Sequence, residues 1–363
     1  MNQCATIDVP MVEIVRAFSI YKEEHGHPPG ENTTLTLPVA GGQERANRQD
    51  LAGIIREYRF PQYDSPTFNS AFMELVERGM GLNGSFIYDL SIFPRYSGAI
   101  TRHMKVVPER TLQIGPGGSL GCEVLLTLMG VKEASTLDPF PLLTFDLNNF
   151  MGSLSKLWQV VTPLAGVNGF DPSPLPFPAY SALGPGEYRV GDGIIRHFHP
   201  RSFEATGFLD GSVDFLYSHA TLEHVRDPLQ CIREAARILR PGGVTAHCID
   251  LRDHRNFDQP LDFLFESAAD WESRMEEYCR FDASGYMNRW RAGEFRAAFE
   301  GEGFEILEFN AEVRVADTLL SGTIPKLHRH YRCFSIDDLS ITTLSLVARK
   351  PGGEVSRSQS CAE

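Results

Sequence analysis

Apolar and polar positions along this chain follow several distinct periods, and each change of period marks a new element. Three early stretches, Met11–Glu23, Gln49–Tyr58 and Ser70–Met80, set apolar residues at helical spacing. They predict a helical extension over residues 1–100, with His25–Gly42 as a Gly/Pro/Thr-rich connection inside it. The extension reads as a lid over a site or as a dimer surface. Ile92–His103 leads from it into the next element. There the pattern changes. Thr111–Ile114 is a short apolar run of the kind that forms a buried strand, and a glycine cluster follows. An apolar helix from about Glu123 to Met129 is stopped by Gly130, and a second strand ends at Asp138. Further on, Tyr188–Val190 reads as a short third strand, and Gly211–Ser218 as a turn followed by a buried strand. Thr221–Leu239 repeats its apolar residues every three to four positions, with Pro228 setting its first part off as a separate turn. Arg240–Gly243 ends that helix, and Val244–Leu251 is the next strand. Gly293–Glu302 reads as a helix, while Phe304–Phe309 and Thr342–Ala348 read as strands. Strands alternating with helices predict an α/β fold around a mostly parallel sheet.

Two stretches interrupt this alternation. Pro141–Pro185 contains a helical pattern at Phe145–Val161 and ends in a proline-rich run. Arg252–Arg291 is rich in charge and aromatics and has weak periodicity. Long insertions beside a ligand cleft commonly serve as covers, and both read that way. Pro351–Glu363 is small and polar and predicts a disordered tail. The plan is thus an extension over 1–100, a nucleotide-binding domain over 101–350 with insertions near 141–185 and 252–291, and a tail over 351–363.

Composition narrows the function. The net charge is −13 over 363 residues, which argues against general nucleic-acid binding. The one basic run, Lys326–Arg332, reads as one face of a surface helix. No apolar run approaches the roughly 18 residues of a membrane span, and the first residues lack a secretory pattern. Seven scattered cysteines without a C-x-x-C pair read as free thiols in a reducing cytoplasm, and no metal site is expected.

Chemistry concentrates in Thr111–Pro139. Strand, glycine turn, helix, strand and acid make the first half of a nucleotide-binding βαβ unit. Gly115, Gly117, Gly118 and Gly121 stand in the turn, where a Cβ would fill space needed by a ligand. Asp138 falls at the offset where a carboxylate accepts hydrogen bonds from ribose hydroxyls. The spacing is G-x-G-x-x-x-G, neither the dinucleotide G-x-G-x-x-G nor a phosphate-cradling loop. A ligand with ribose and adenine but no phosphate, such as S-adenosyl-L-methionine, fits that turn.

Taken in order, LQIGPGGSLG with Asp138, DGSVDFLYSHATLEHVRDP, ILRPGGVTAHCIDLRDH and the closing GFEILEF and ITTLSLVARK resemble the class I S-adenosylmethionine-dependent methyltransferases. The resemblance covers roughly residues 101–350. It implies a Rossmann-like fold with a mostly parallel seven-stranded sheet, an antiparallel last strand and helices on both faces. It implies S-adenosyl-L-methionine as cofactor and S-adenosyl-L-homocysteine as product. It places Gly115, Pro116, Gly117 and Gly118 against the methionine and ribose portion, Asp138 on the ribose, Asp192 and Gly193 at adenine, and Ser218 and His219 near the sulfonium. Ser119 stands where the family's G-x-G-x-G has its third glycine.

Methyl transfer to a hydroxyl or amine needs alignment and a route for the departing proton. His219 and His254 follow two predicted strands and are the candidate bases, with Asp250 or Asp253 placed to orient an imidazole or to bind the acceptor. Arg95 and Tyr96 are candidate acceptor contacts, and His224 reads as a packing residue. The reading is a methyltransferase acting on a small-molecule or sugar acceptor, with a homodimer plausible and neither nucleic acid nor membrane as partner. The alternatives are an S- or C-methyltransferase of a small metabolite, a SAM-binding partner protein without catalysis, and an NAD-dependent oxidoreductase.

Overall fold

The computed structural model describes residues 35–39, 42–46, 84–155 and 177–352. The chain divides into two compact units, Met1–Phe93 with Asp146–Pro178, and Pro94–Phe145 with Ala179–Glu363. In the first unit, strands β1 (Leu35–Val39) and β2 (Gly42–Ala46) form an antiparallel hairpin, with Val39 opposite Gly42. The expected connection His25–Gly42 therefore contains a strand. The predicted helices at Met11–Glu23, Gln49–Tyr58 and Ser70–Met80 lie outside the described residues, as does most of the predicted tail. Residues 147–155 are helical, and Leu147, Phe150, Met151 and Leu154 recur at helical spacing and are buried. Phe86 and Phe150 meet edge to face, their centroids 4.8 Å apart.

Helix α1 runs from Gly84 to His103, so the stretch before the glycine motif is helical where only a lead-in was read. Tyr96, Ala99 and Ile100 on its second half are buried.

The second unit is built on one sheet. Its strands are β3 (Arg110–Ile114), β4 (Glu133–Leu137), β5 (Tyr180–Gly184), β6 (Glu187–Val190), β7 (Gly193–Phe198), β8 (Val213–His219), β9 (Leu239–Asp250), β10 (Glu305–Arg314) and β11 (Ile341–Arg349). Their order is β10-β11-β9-β8-β3-β4-β7-β6-β5. The five strands from β9 to β7 are parallel; at one edge β11 runs antiparallel to β9, and β10, antiparallel to β11, again points the way of the five. These seven are the sheet the resemblance implied. Two more strands, β6 and β5, extend the other edge as an antiparallel meander. The short strand taken as the third parallel one, Tyr188–Val190, is part of β6 and is antiparallel; the third parallel strand is β7.

The helices are α2 (Gly121–Leu128), α3 (Pro228–Ile238), α4 (Ala268–Tyr278), α5 (Ala292–Gly301), α6 (Asp317–Thr323) and α7 (Ile336–Ser340). Pro228 sits in the first turn of α3, where its missing N–H costs nothing, and Asp227 caps the helix by accepting from the Gln230 amide at 2.9 Å. One core joins Leu112, Ile114 and Leu216 of the sheet to Ile232, Ala235 and Ile238 of α3, Phe295 and Phe299 of α5, and Leu344 and Leu346 of β11. A smaller cluster around Trp271, Phe263, Met275 and Tyr331 organises the Arg252–Arg291 insertion. The basic run at Lys326–Arg332 is not one helix face: it runs from the end of one 3-10 turn, Ile324–Lys326, into another, Tyr331–Cys333.

Arg291 is fully buried beside this core. It donates to the carbonyls of Leu251, Leu339 and Ile341, joining the ends of β9, α7 and β11. Burial pulls its guanidinium down to about 10, because the charged form loses hydration.

Candidate active site

Parallel strands point their carboxyl ends the same way, and the turns that follow β3, β4, β7 and β8 meet in one cleft of about 420 Å³. Its walls include Gly115 and Gly117 after β3, Asp138 and Phe140 after β4, Ser202 to Glu204 after β7, and Ala220, Thr221 and His224 after β8. Ala283, Ser284 and Tyr286 of the Arg252–Arg291 stretch also line it.

The glycine turn is forced locally. Gly115 and Gly117 have φ of +64° and +61°, the left-handed region where a Cβ is strained. A Cβ on Gly115 would stand 2.7 Å from the Thr221 methyl and hydroxyl, whereas one on Gly117 would meet nothing within 4 Å. Gly115 is small because protein fills the space beside it; Gly117 faces open space on the cleft wall. Thr221 is itself held, its hydroxyl 3.2 Å from the Ile114 carbonyl and 3.1 Å from that of His219. Ala220, just before it, has a φ of +48°, strained backbone at the strand end of the kind that gathers at functional sites.

Asp138 is only 3% exposed. Burial raises its carboxyl, and hydrogen bonds from the Phe140 and Gly117 amides oppose the rise. The Phe140 amide donates to Oδ1 at 2.8 Å. A carboxylate offers about four acceptor positions, so two amides leave room for the two hydroxyls of a ribose. The chain after β7 is tied to the same residue, since the Arg201 amide donates to the Asp138 carbonyl at 3.0 Å. That tie brings Ser202, Phe203 and Glu204 beside the Asp138 side of the cleft.

Several predicted residues lie elsewhere. Asp192 and Gly193 sit at the amino end of β7, opposite to the cleft. The Asp192 side chain is 94% exposed and 4.0 Å from Lys132. A Cβ on Gly193 would come within 2.8 Å of Thr127 and the Val131 carbonyl, so this glycine serves packing against the end of α2. After the carboxyl end of β7 it is Ser202 to Glu204 that line the cleft. Gly193–Phe198, an apolar-rich run directly after Asp192, was the signal for the third parallel strand.

Ser218 is fully buried, and its hydroxyl pairs with Nδ1 of His247 at 2.7 Å. Thr245 holds the other ring nitrogen at 2.6 Å, and burial pulls His247 down to about 3. Tyr96 is also buried, its hydroxyl 2.8 Å from the Ser218 carbonyl and 2.9 Å from Nδ1 of His219. Burial first, then the Arg95 charge, brings His219 down to about 4, which keeps it neutral near pH 7. Arg95 pairs with Glu312 of β10. Asp253 is 2% exposed and binds Arg255 through two contacts of 3.0 and 2.8 Å, a loop-closing role. None of Arg95, Tyr96, His219 and Asp253 is on the cleft wall. Pro116 and Gly118 belong to the turn, but only Gly115 and Gly117 of that group line the cleft.

Asp250 and His254 are brought together, with Oδ2 3.3 Å from Nε2. Burial would raise Asp250, but hydrogen bonds from Arg252 and His254 win and hold its carboxyl well below the usual range. The His254 ring packs on His224, centroids 4.9 Å apart. His224, read from sequence as packing, is the histidine that lines the cleft. Its Nδ1 donates to the Tyr286 carbonyl at 2.7 Å, which leaves Nε2 with the lone pair. Glu223 beside it is 3% exposed, and burial raises its carboxyl well above the ordinary value.

No helix among the described residues is long and apolar enough to cross a membrane. Residues 153–246 match the family model described as "Methyltransferase domain". The match begins after Asp138 and does not include the glycine turn. A comparison with curated proteins finds no match. Among solved structures, the chain resembles one from the Haloferax volcanii complex of the Trm112 methyltransferase activator with a methyltransferase, at 16% identity over 73% of this chain and 94% of that one, TM-score 0.38. It resembles a SAM-dependent methyltransferase of Methanosarcina mazei at 16% identity, over 70% and 97% of the two chains, TM-score 0.35. It also resembles geranyl diphosphate C-methyltransferase from Streptomyces coelicolor, bound to Mg2+, geranyl diphosphate and S-adenosyl-L-homocysteine, at 12% identity over 79% and 85%, TM-score 0.37. The strand order, the glycine turn and the methyltransferase-domain match over residues 153–246 agree with the resemblance read from the sequence.

Proposed function

We propose that this protein transfers a methyl group to a hydroxyl or amine of a small-molecule or sugar acceptor. One observation carries the reading: Gly117, Asp138 and His224 line the same cleft, joining a cofactor cradle to a basic nitrogen. S-adenosyl-L-methionine, when bound, supplies a methyl group on a sulfonium, and displacement forms the bond to the acceptor and leaves S-adenosyl-L-homocysteine. Gly115 and Gly117 hold the turn open for it. Asp138 accepts from the ribose hydroxyls, and Ser202, Phe203 and Glu204 form the adenine side.

The chain's own chemistry is then alignment and proton removal. In the ion-free protein, Nε2 of His224 accepts the acceptor's proton, with Nδ1 fixed by the Tyr286 carbonyl. This moves the base from His219 and His254 to His224. Arg226, whose guanidinium lies 4.5 Å from the Tyr286 ring centre, and Glu204 add polar contacts at the rim. The cleft is bounded by Phe140, Leu142 and Tyr286, which suits a discrete molecule rather than an extended chain.

The test is calorimetric titration of S-adenosyl-L-methionine, S-adenosyl-L-homocysteine and NAD, followed by an acceptor screen that reads S-adenosyl-L-homocysteine. Binding of the first two, with turnover on a hydroxyl or amine that His224→Ala abolishes, supports the reading. Binding of NAD alone overturns it, and turnover only on thiols or carbon acids moves it to the S- or C-methyl class.

A further inference from the structure

Glu223, His224 and His254 each bring one ligand atom within 4.8 Å of the others. They come from the turns after β8 and β9, neighbouring parallel strands whose carboxyl ends open on the cleft. We propose that these three side chains form a binding site for a divalent first-row transition cation on the acceptor side of the cleft.

The first support is the state of Glu223. Oε1 accepts from the Asp250 amide at 3.3 Å, but Oε2 is buried and has no hydrogen-bond partner. A buried carboxylate oxygen without a partner is costly, and a cation removes that cost. The second support is the ring setting. His224 donates Nδ1–H to the Tyr286 carbonyl, the outer contact that metal-binding imidazoles commonly make, and presents Nε2. Asp250 stands beside His254, its Oδ2 3.3 Å from the ring Nε2. Arg252, whose charge is felt by Glu223, is paired with Asp250 at 2.6 Å, so its charge is largely offset.

Two imidazoles and a carboxylate favour Zn2+, Fe2+, Co2+ or Mn2+ over Mg2+ or Ca2+, which prefer all-oxygen sites. Three protein ligands leave coordination positions open. As His224 lines the cleft, an open position faces the acceptor. A hydroxyl bound there loses its proton more readily, and the ion then takes over the role given above to His224. The ion's chemical role rests on the proposed methyl transfer; its binding does not.

The experiment titrates the metal-stripped full chain with Zn2+ by calorimetry and with Co2+ by visible absorption, with Mg2+ as the comparison. Wild type, Glu223→Gln and His254→Ala are compared, each first checked for undiminished S-adenosyl-L-homocysteine binding, which reports an intact fold through Asp138. The expected result is one Co2+ or Zn2+ per chain and Co2+ bands of a nitrogen-containing site. Either substitution should weaken binding by more than about 100-fold, beyond the 10–100-fold typical of losing an outer contact. Absence of binding to wild type overturns the proposal. So does binding that both variants retain, which would put the ion elsewhere, such as at the exposed Cys333. Failure of S-adenosyl-L-homocysteine binding in wild type would instead count against the proposed function and leave the metal result standing.

Discussion

Gly115 and Gly117 share a backbone conformation and differ in what a side chain would meet, so alanine at each separates folding from binding. Both substitutions force a left-handed φ on a residue with a Cβ, at about 1–2 kcal/mol each. At Gly115 the added methyl would also stand 2.7 Å from both Cγ2 and Oγ1 of Thr221. Thr221 is pinned by carbonyls at 3.1 and 3.2 Å and yields little. Overpacking of that kind adds about 1–3 kcal/mol, so Gly115→Ala should cost about 2–5 kcal/mol in all. At Gly117 the methyl meets nothing within 4 Å, and stability should fall only by the backbone cost. Its methyl, however, occupies cleft space, so cofactor affinity should fall in protein that is still folded. Urea denaturation gives the stabilities, and calorimetry with S-adenosyl-L-homocysteine gives the affinities. Thr221→Ala supplies the internal control. It removes Cγ2 and Oγ1 and leaves the nearest remaining atom, Cβ, at 3.3 Å. In the Gly115→Ala background it should therefore recover the packing cost and not the backbone cost. Equal stability losses at the two glycines, or no recovery with Thr221→Ala, would refute the packing argument. Unchanged affinity in Gly117→Ala would refute the assignment of this turn to the cofactor.

Asp138→Asn keeps the shape but loses the charge, and S-adenosyl-L-homocysteine affinity should drop by about 100-fold or more, the value of two hydrogen bonds to a charged acceptor. Arg291→Met leaves three buried carbonyls without their donor and should destabilise the protein by at least about 3 kcal/mol in urea melts. His247 is neutral in the fold down to about pH 3, whereas the unfolded chain takes a proton below about 6.5. Its contribution is complete above 6.5 and is lost as pH falls from there toward 3, approaching about 1.4 kcal/mol per pH unit. His247→Gln should flatten the stability-versus-pH curve in that window by about one proton, and an unchanged slope would show that the ring is protonated in the fold.

The sequence alone determined the parts of this protein whose signals are local. A buried strand, a glycine turn, an apolar helix and an acid one strand later all lie within Thr111–Pro139, so Gly115, Gly117 and Asp138 could be picked out directly. The alternation of strands and helices likewise determined the fold class, and the resemblance implied the antiparallel closing strand. Tertiary structure decided which face and which end of the sheet each residue occupies. Asp192 looked like a strand-end acid, but a hairpin reverses the chain there, and only strand pairing shows that it lies at the opposite end. Ser218 is at the right end and still points into the core, because His247 of the adjacent strand claims its hydroxyl. The cluster of Glu223, His224 and His254 escaped a reading based on cysteine spacing, since His254 lies 30 residues beyond His224 and meets the pair only because β8 and β9 are neighbours. Local patterns encode conformation through sterics and burial periodicity. The site's chemistry depends on contacts between segments distant in sequence, which nothing in the local pattern specifies.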